Sequence, residues 1–341
     1  MLKTVFLACA DDSIGIFDRS MLSQQVLMEL FIFGLDKVED ICGSREDPTE
    51  VCTWEGVRCN AEGEVGSFAW TSNDKHGTGT ISGKFLPRTL TDLTMSANRL
   101  KEGIELVDFP ERLQNLSLAN NRLCGTLHLD DFPRSLERVA LNENRFTGEI
   151  SLERLPKGLQ MFRLDGNHLN GSICATSLPP ALMGLYLSRN RFEGSLDLSR
   201  LPENLRVLHL SENAFSGEID FAHLPEGLTD LTAQNNRLCG TVCLTSLPPA
   251  LKRLHIDHNT FEGSMNLTRL PKNMVSLRLS HNAFSGEIDV HHLPGTLKGL
   301  DARMNNLSGT VRTPPGVFCW DGWIRGNALF HGNNDLIVED P

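Results

Sequence analysis

The chain has one Tyr and four Trp in 341 residues, and no run of basic residues longer than two. That excludes a nucleic-acid backbone as partner, because such binding needs clustered Lys and Arg to displace counterions. The formal net charge of -11 also argues against an anionic membrane surface. Long apolar runs are missing too. The longest, Val26 to Leu35, is interrupted by Glu29 and falls short of the ~20 residues a membrane-spanning helix needs. The sequence contains no phosphate-binding glycine loop, G-x-S-x-G elbow, H-E-x-x-H helix or G-x-G-x-x-G fingerprint. Catalysis and a cofactor are therefore not expected.

What the sequence has in quantity is one repeated unit. Asn98 is followed at 23-residue intervals by Asn121, Asn144, Asn167, Asn190, Asn213, Asn236, Asn259, Asn282 and Asn305. Two residues after each stands Leu or Phe, and four after each stands Gly, except at Glu102. The unit reads L-P-x-x-L-x-x-L-x-L-x-x-N-x-F/L-x-G-x-I-x-L-x-x, and ten such turns are counted. Within Leu205-x-x-Leu208-x-Leu210 the last two leucines are two apart, the period of a strand. They should point inward while His209 and Ser211 point outward. A buried Asn carries one acceptor and two donors, so it can satisfy backbone groups that a turning chain leaves unpaired. Ile219 and Phe221 restore the period of two and predict a short strand on the opposite face. One unit cannot bury its own apolar side, whereas stacked units share a continuous core. With strands ~4.8 Å apart, ten turns predict a curved rod roughly 45–50 Å long. The expected fold is thus a mainly β solenoid with an inner parallel sheet. Residues 167–235 and 236–304 match at more than half their positions, so three turns form a longer, copied unit.

Before the array, residues 18–40 are spaced as an amphipathic helix, with Met21, Leu22, Val26, Leu27, Leu30, Phe31 and Leu35 near a 3.6 period. Then comes Cys52-Thr-Trp54-Glu-Gly56-Val57-Arg-Cys59 and a first strand from Val65 to Trp70. This C-x-W-x-G-V-x-C segment after a helix resembles the N-terminal cap of plant-type extracellular leucine-rich-repeat proteins. The N-x-F-x-G-x-I core of the repeats is similar to that family as well. The repeat length of 23 and the L-P-x-x-L segment depart from it and are closer to leucine-rich-repeat surface proteins of protists. The resemblance implies a disulfide between Cys52 and Cys59, Trp54 packed over the end of the core, and an oxidising compartment. The implied location is extracellular or at the cell surface, with the cytoplasm as the alternative.

The expected organisation is a shortened secretory leader at 1–10, a helical cap with the first strand at 11–70, the array at 71–312 and a C-terminal cap at 313–341. Met1 to Ala10 also reads as the first turn of a helix, and its apolar core is shorter than a usual leader. Of the other cysteines, Cys124, Cys174, Cys239 and Cys243 are expected as small buried hydrophobes. Cys319 beside Trp320 suggests a C-terminal cap, and Cys42 has no assigned role. Asn115, Asn170, Asn266 and Asn306 sit in N-x-S/T sequons and are candidate glycosylation sites.

The residue between the two strand leucines should face out from the inner sheet. Along the rod this row reads Thr94, Ser117, Ala140, Arg163, Tyr186, His209, Thr232, His255, Arg278, Asp301. Aromatic residues and Arg are the usual anchors of binding surfaces. The candidate ligand site is therefore Arg163, Tyr186, His209, His255 and Arg278, for a protein ligand or a glycan. Two other functions stand as alternatives. One is inhibition of an extracellular hydrolase through this face. The other is a metal-dependent enzyme on a solenoid, with His255, His258 and His281 converging at one edge.

Overall fold

A computed structural model describes residues 21–36, 38–71, 77–318 and 329–339. The expected leader at 1–10, and Cys319 with Trp320, lie outside them. Two sheets of twelve strands run along the chain. In the first, eleven parallel strands follow one another from Val65–Ala69 to Gly299–Asp301, and Val57–Cys59 joins its start antiparallel. The solenoid thus has one more turn than the ten counted from Asn98, because the cap's own strand stacks on the array.

Neighbouring strands pair with an offset of one repeat, so Leu185 lies beside Leu208 and Leu208 beside Leu231. Equivalent leucines therefore stack into columns, and these three are buried. Phe146, Phe192, Phe215, Phe261 and Phe284 fill the other side of the same core and are fully buried. The second sheet departs from expectation in one respect. Its strand in the sixth turn is Ala214–Glu218, directly after the Asn, and ends before Ile219 and Phe221. Those two side chains are buried beyond the strand end.

Each Asn forms a rung of a ladder. Asn213 Nδ2 donates to the carbonyls of Leu187, Leu210 and Ser211, at 3.0–3.2 Å. Its Oδ1 accepts from the Phe192 amide at 3.1 Å. One side chain thus ties two consecutive turns and satisfies four backbone groups. The same pattern recurs from Asn121 to Asn305. The residue before the Asn takes a left-handed conformation in nine turns without being glycine, with φ near 50–56°. Such a backbone costs roughly 1–2 kcal/mol for an L-residue. The ladder bonds on either side hold it there.

At the N-terminal end the helix is shorter than its apolar spacing predicts. It spans Gln24–Phe33, capped by Ser23, whose hydroxyl accepts from the Val26 amide. Met21 lies before it and is exposed. Gly34 ends the helix because the chain approaches closely there: a Cβ would lie 2.5 Å from the Thr80 carbonyl oxygen. A short helix, Glu39–Cys42, completes the cap. Cys52 and Cys59 form the disulfide. Trp54 is buried in the core, and its Nε1 donates to the Thr49 carbonyl at 2.8 Å.

The cysteine expectation is corrected. Cys124, Cys174 and Cys243 are free and exposed, and Cys239 is free and half-buried. Among the described residues only Cys42 is a buried thiol, donating to the Val38 and Ser44 carbonyls.

Candidate binding face

The first sheet presents the row Arg163, Tyr186, His209, Thr232, His255, Arg278 in consecutive register. The structure divides these residues into two groups. Arg163, Tyr186 and His209 form one contact cluster. The Arg163 guanidinium lies 4.9 Å from the Tyr186 ring centre. The His209 ring meets the Tyr186 ring edge-on at 4.9 Å. The Tyr ring lies back along its own strand over Gly184. A Cβ there would sit 2.9 Å from the ring and 2.7 Å from the Met161 sulfur. Absence of a side chain at 184 is therefore what lets Met161 and Tyr186 close over the strand. Met183 beside them is 46% exposed, and Val207 is half-buried on the neighbouring strand. The result is an aromatic and thioether patch on an otherwise polar face.

His255 and Arg278 form the second group. His255 is only 7% exposed, and its Nε2 lies 2.9 Å from Ser276 Oγ. Burial, aided by Arg278 and Arg253, pushes its pKa from 6.5 down to about 4, so the ring is neutral at pH 7. His209 is also lowered, chiefly by burial. Burial raises the Tyr186 phenol against the opposing pull of Arg163.

Ion pairs run along the face. Arg163 bonds Asp165 at 3.3 Å. Arg189 reaches Glu143, two turns away, because Gly166 between them has no side chain. Arg253 pairs with Asp230, and Arg303 holds Asp301 with two bonds of 2.7 and 2.8 Å. Burial alone would raise the Asp301 pKa, but the Arg303 bonds outweigh it and the net shift is downward. Two buried acceptors on this face, Asn142 Oδ1 and Asp257 Oδ1, have no hydrogen-bond partner among the described residues.

The three histidines weighed as a metal site do not converge. His258 and His281 stack at 4.1 Å on the rim, with His258 Nδ1 on Asp257, while His255 turns to Ser276. Among the described residues no three His, Cys, Asp or Glu side chains are placed to share a metal ion. His291 and His292 surround Asp289 and are exposed. Among the sequons, Asn170, Asn266 and Asn306 are exposed. Asn115 lies in the first sheet, half-buried, and its amide donates to Asp92 at 2.6 Å.

Sequence reasoning missed Met161, Met183 and Gly184. The signal was the first-sheet position one row over, where Gly184 interrupts a series of larger residues.

No family model and no curated protein matches the chain. Solved structures do. One is the leucine-rich-repeat ectodomain of the plant membrane receptor kinase GASSHO1/SCHENGEN3 from Arabidopsis thaliana, in complex with Casparian strip integrity factor 2. It is 25% identical over 86% of this chain, with a TM-score of 0.68. This chain covers 37% of that ectodomain. A plant ice-binding protein is 18% identical, with 93% of this chain and 97% of that one covered, at a TM-score of 0.64. A TDR receptor is 22% identical over 81% of this chain and 56% of its own length, at 0.51. The last two show shared fold alone. No described helix is long and apolar enough to cross a membrane.

Proposed function

The chain is a leucine-rich-repeat solenoid, a fold it shares with a plant receptor-kinase ectodomain, and from that premise we propose that it is a non-enzymatic recognition protein. Its first sheet, the concave face of such solenoids, binds a protein or peptide segment across turns four to nine, counted from Asn98. The observation that carries this is the Arg163–Tyr186–His209 cluster with its Met161 and Met183 border. A rigid aromatic ring beside Arg supplies contact area at low entropic cost, as in binding hot spots. The ectodomain most fully described above is itself seen in complex with a factor. The Cys52–Cys59 disulfide supports an extracellular or cell-surface location. Asn170, Asn266 and Asn306 lie open to carry glycans there, away from the cluster.

The test is a selection of random twelve-residue displayed peptides on the intact chain. Binders should be recovered, and a Tyr186→Ala/His209→Ala double variant should lose them by at least roughly tenfold in affinity. Binders that hold the double variant equally well would end this reading.

A further inference from the structure

We propose that the occupant of this face is an extended acidic peptide with one large apolar residue, running along the solenoid axis. This rests on the reading of the first sheet as the binding face and names the chemistry of the ligand. The first observation is charge. In turns eight to ten the face and its rims carry Lys252, Arg253, Arg278, Lys298 and Arg303 against Asp257, Asp301 and the Asp230 that pairs with Arg253 from turn seven, a surplus of two positive charges. In turns four to seven Arg163, Arg189 and Arg206 are balanced by Asp165, Glu212 and the Glu143 that pairs with Arg189 from turn three. The chain as a whole carries -11. A positive end to one face of an acidic molecule draws an acidic partner there and repels it elsewhere.

The second observation is the apolar patch. Met161, Met183, Tyr186 and Val207 sit at turns four to six, in the charge-balanced half. An aromatic or large aliphatic side chain fits beside the Tyr186 ring and the exposed Met183 thioether. Turn five lies three to four strand spacings from turns eight and nine, about 14–19 Å at ~4.8 Å each. An extended chain covers that in roughly four to six residues.

The probe is a synthetic fluorescent twelve-residue peptide, Gly/Ser-based, with Phe at position three and Glu at positions eight and nine. Fluorescence anisotropy on the full chain should show binding that weakens about tenfold or more between roughly 50 and 500 mM salt. Replacing both Glu by Gln, replacing Phe by Gly, or bringing the Phe and Glu groups next to each other should each cost about tenfold. A Lys252→Glu/Lys298→Glu variant should lose the peptide, and Arg191→Glu on the second sheet should keep it. These are exposed side chains, so both variants are expected to fold, and circular dichroism checks that. Failure of the parent peptide to bind overturns the proposal. So does a Gln or short-spaced peptide that binds equally, or heparin competing with no dependence on the Phe. If library-selected peptides need Tyr186 but lack acidic residues, this inference falls and the binding-face reading stands. If no selected peptide needs Tyr186, both fall.

Discussion

At the scale of single residues, the repeat is held by backbone conformations that most side chains resist. Nine turns carry Gly four residues after their Asn, each in the left-handed region with φ of 78–88°. The turn of Asn98 has Glu102 there instead, at φ 71°. Glu102→Gly should therefore stabilise the fold by about 1 kcal/mol, since relief of strain exceeds the extra entropy of the unfolded glycine. Urea unfolding would show it as a higher midpoint, and a lower one would contradict the assignment of strain. His255 gives a second residue-scale expectation. Its ring is neutral in both states above pH 6.5. As pH falls from 6.5 towards 4, the unfolded chain takes up a proton that the folded one refuses. Stability from this residue is thus lost across that window, by up to about 3 kcal/mol. Thermal unfolding at pH 7 and 4.5 should show a smaller acid loss for His255→Gln than for the parent chain. Equal losses would mean the ring is not held neutral by burial.

At the scale of elements, the disulfide cap is the piece whose contribution is most easily isolated. Closing the short loop between Cys52 and Cys59 lowers the entropy of the unfolded chain, and stabilises by about 2–3 kcal/mol for a loop of this size. Cys59→Ser should lower the melting temperature, and a temperature unchanged by the substitution or by reductant would show that Trp54 and the helix suffice alone. The elements also show what the sequence made legible. The strand Val207–His209 could be read because Leu208 and Leu210 keep a strict period of two. The strand Ala214–Glu218 was displaced in the sequence reading because Ile219 and Phe221 keep the same period beyond its end. That displacement also hid Cys124 and Cys239, which lie inside these strands. Leu123 is buried within its strand, so the next residue, Cys124, must face outward. His255 and His209 hold the same position in different turns, yet His255 is nearly closed off. Its Nε2 turns to Ser276 on the next strand, and periodicity carries no information about that contact. The Tyr186 cluster was legible as a row of residues, but its packing depended on the missing side chain of Gly184.

At the scale of the whole molecule, the solenoid is close to one-dimensional, so core and face vary independently. The copied three-turn blocks illustrate this. Leu185, Leu208 and Leu231 of the first correspond to Leu254, Leu277 and Leu300 of the second, all buried. The face residues differ at each step: Tyr186, His209 and Thr232 against His255, Arg278 and Asp301. One framework thus presents an aromatic patch at one end of a face and a cationic one at the other. The central claim is that a ligand lies along this face, and photo-crosslinking tests it most directly. A benzophenone amino acid would be placed either at Thr232, between the two patches, or at Glu193 on the second sheet. The account predicts that a peptide selected on the intact chain crosslinks at 232 and leaves 193 unlabelled. Labelling at 193, or equal labelling at both, would contradict it.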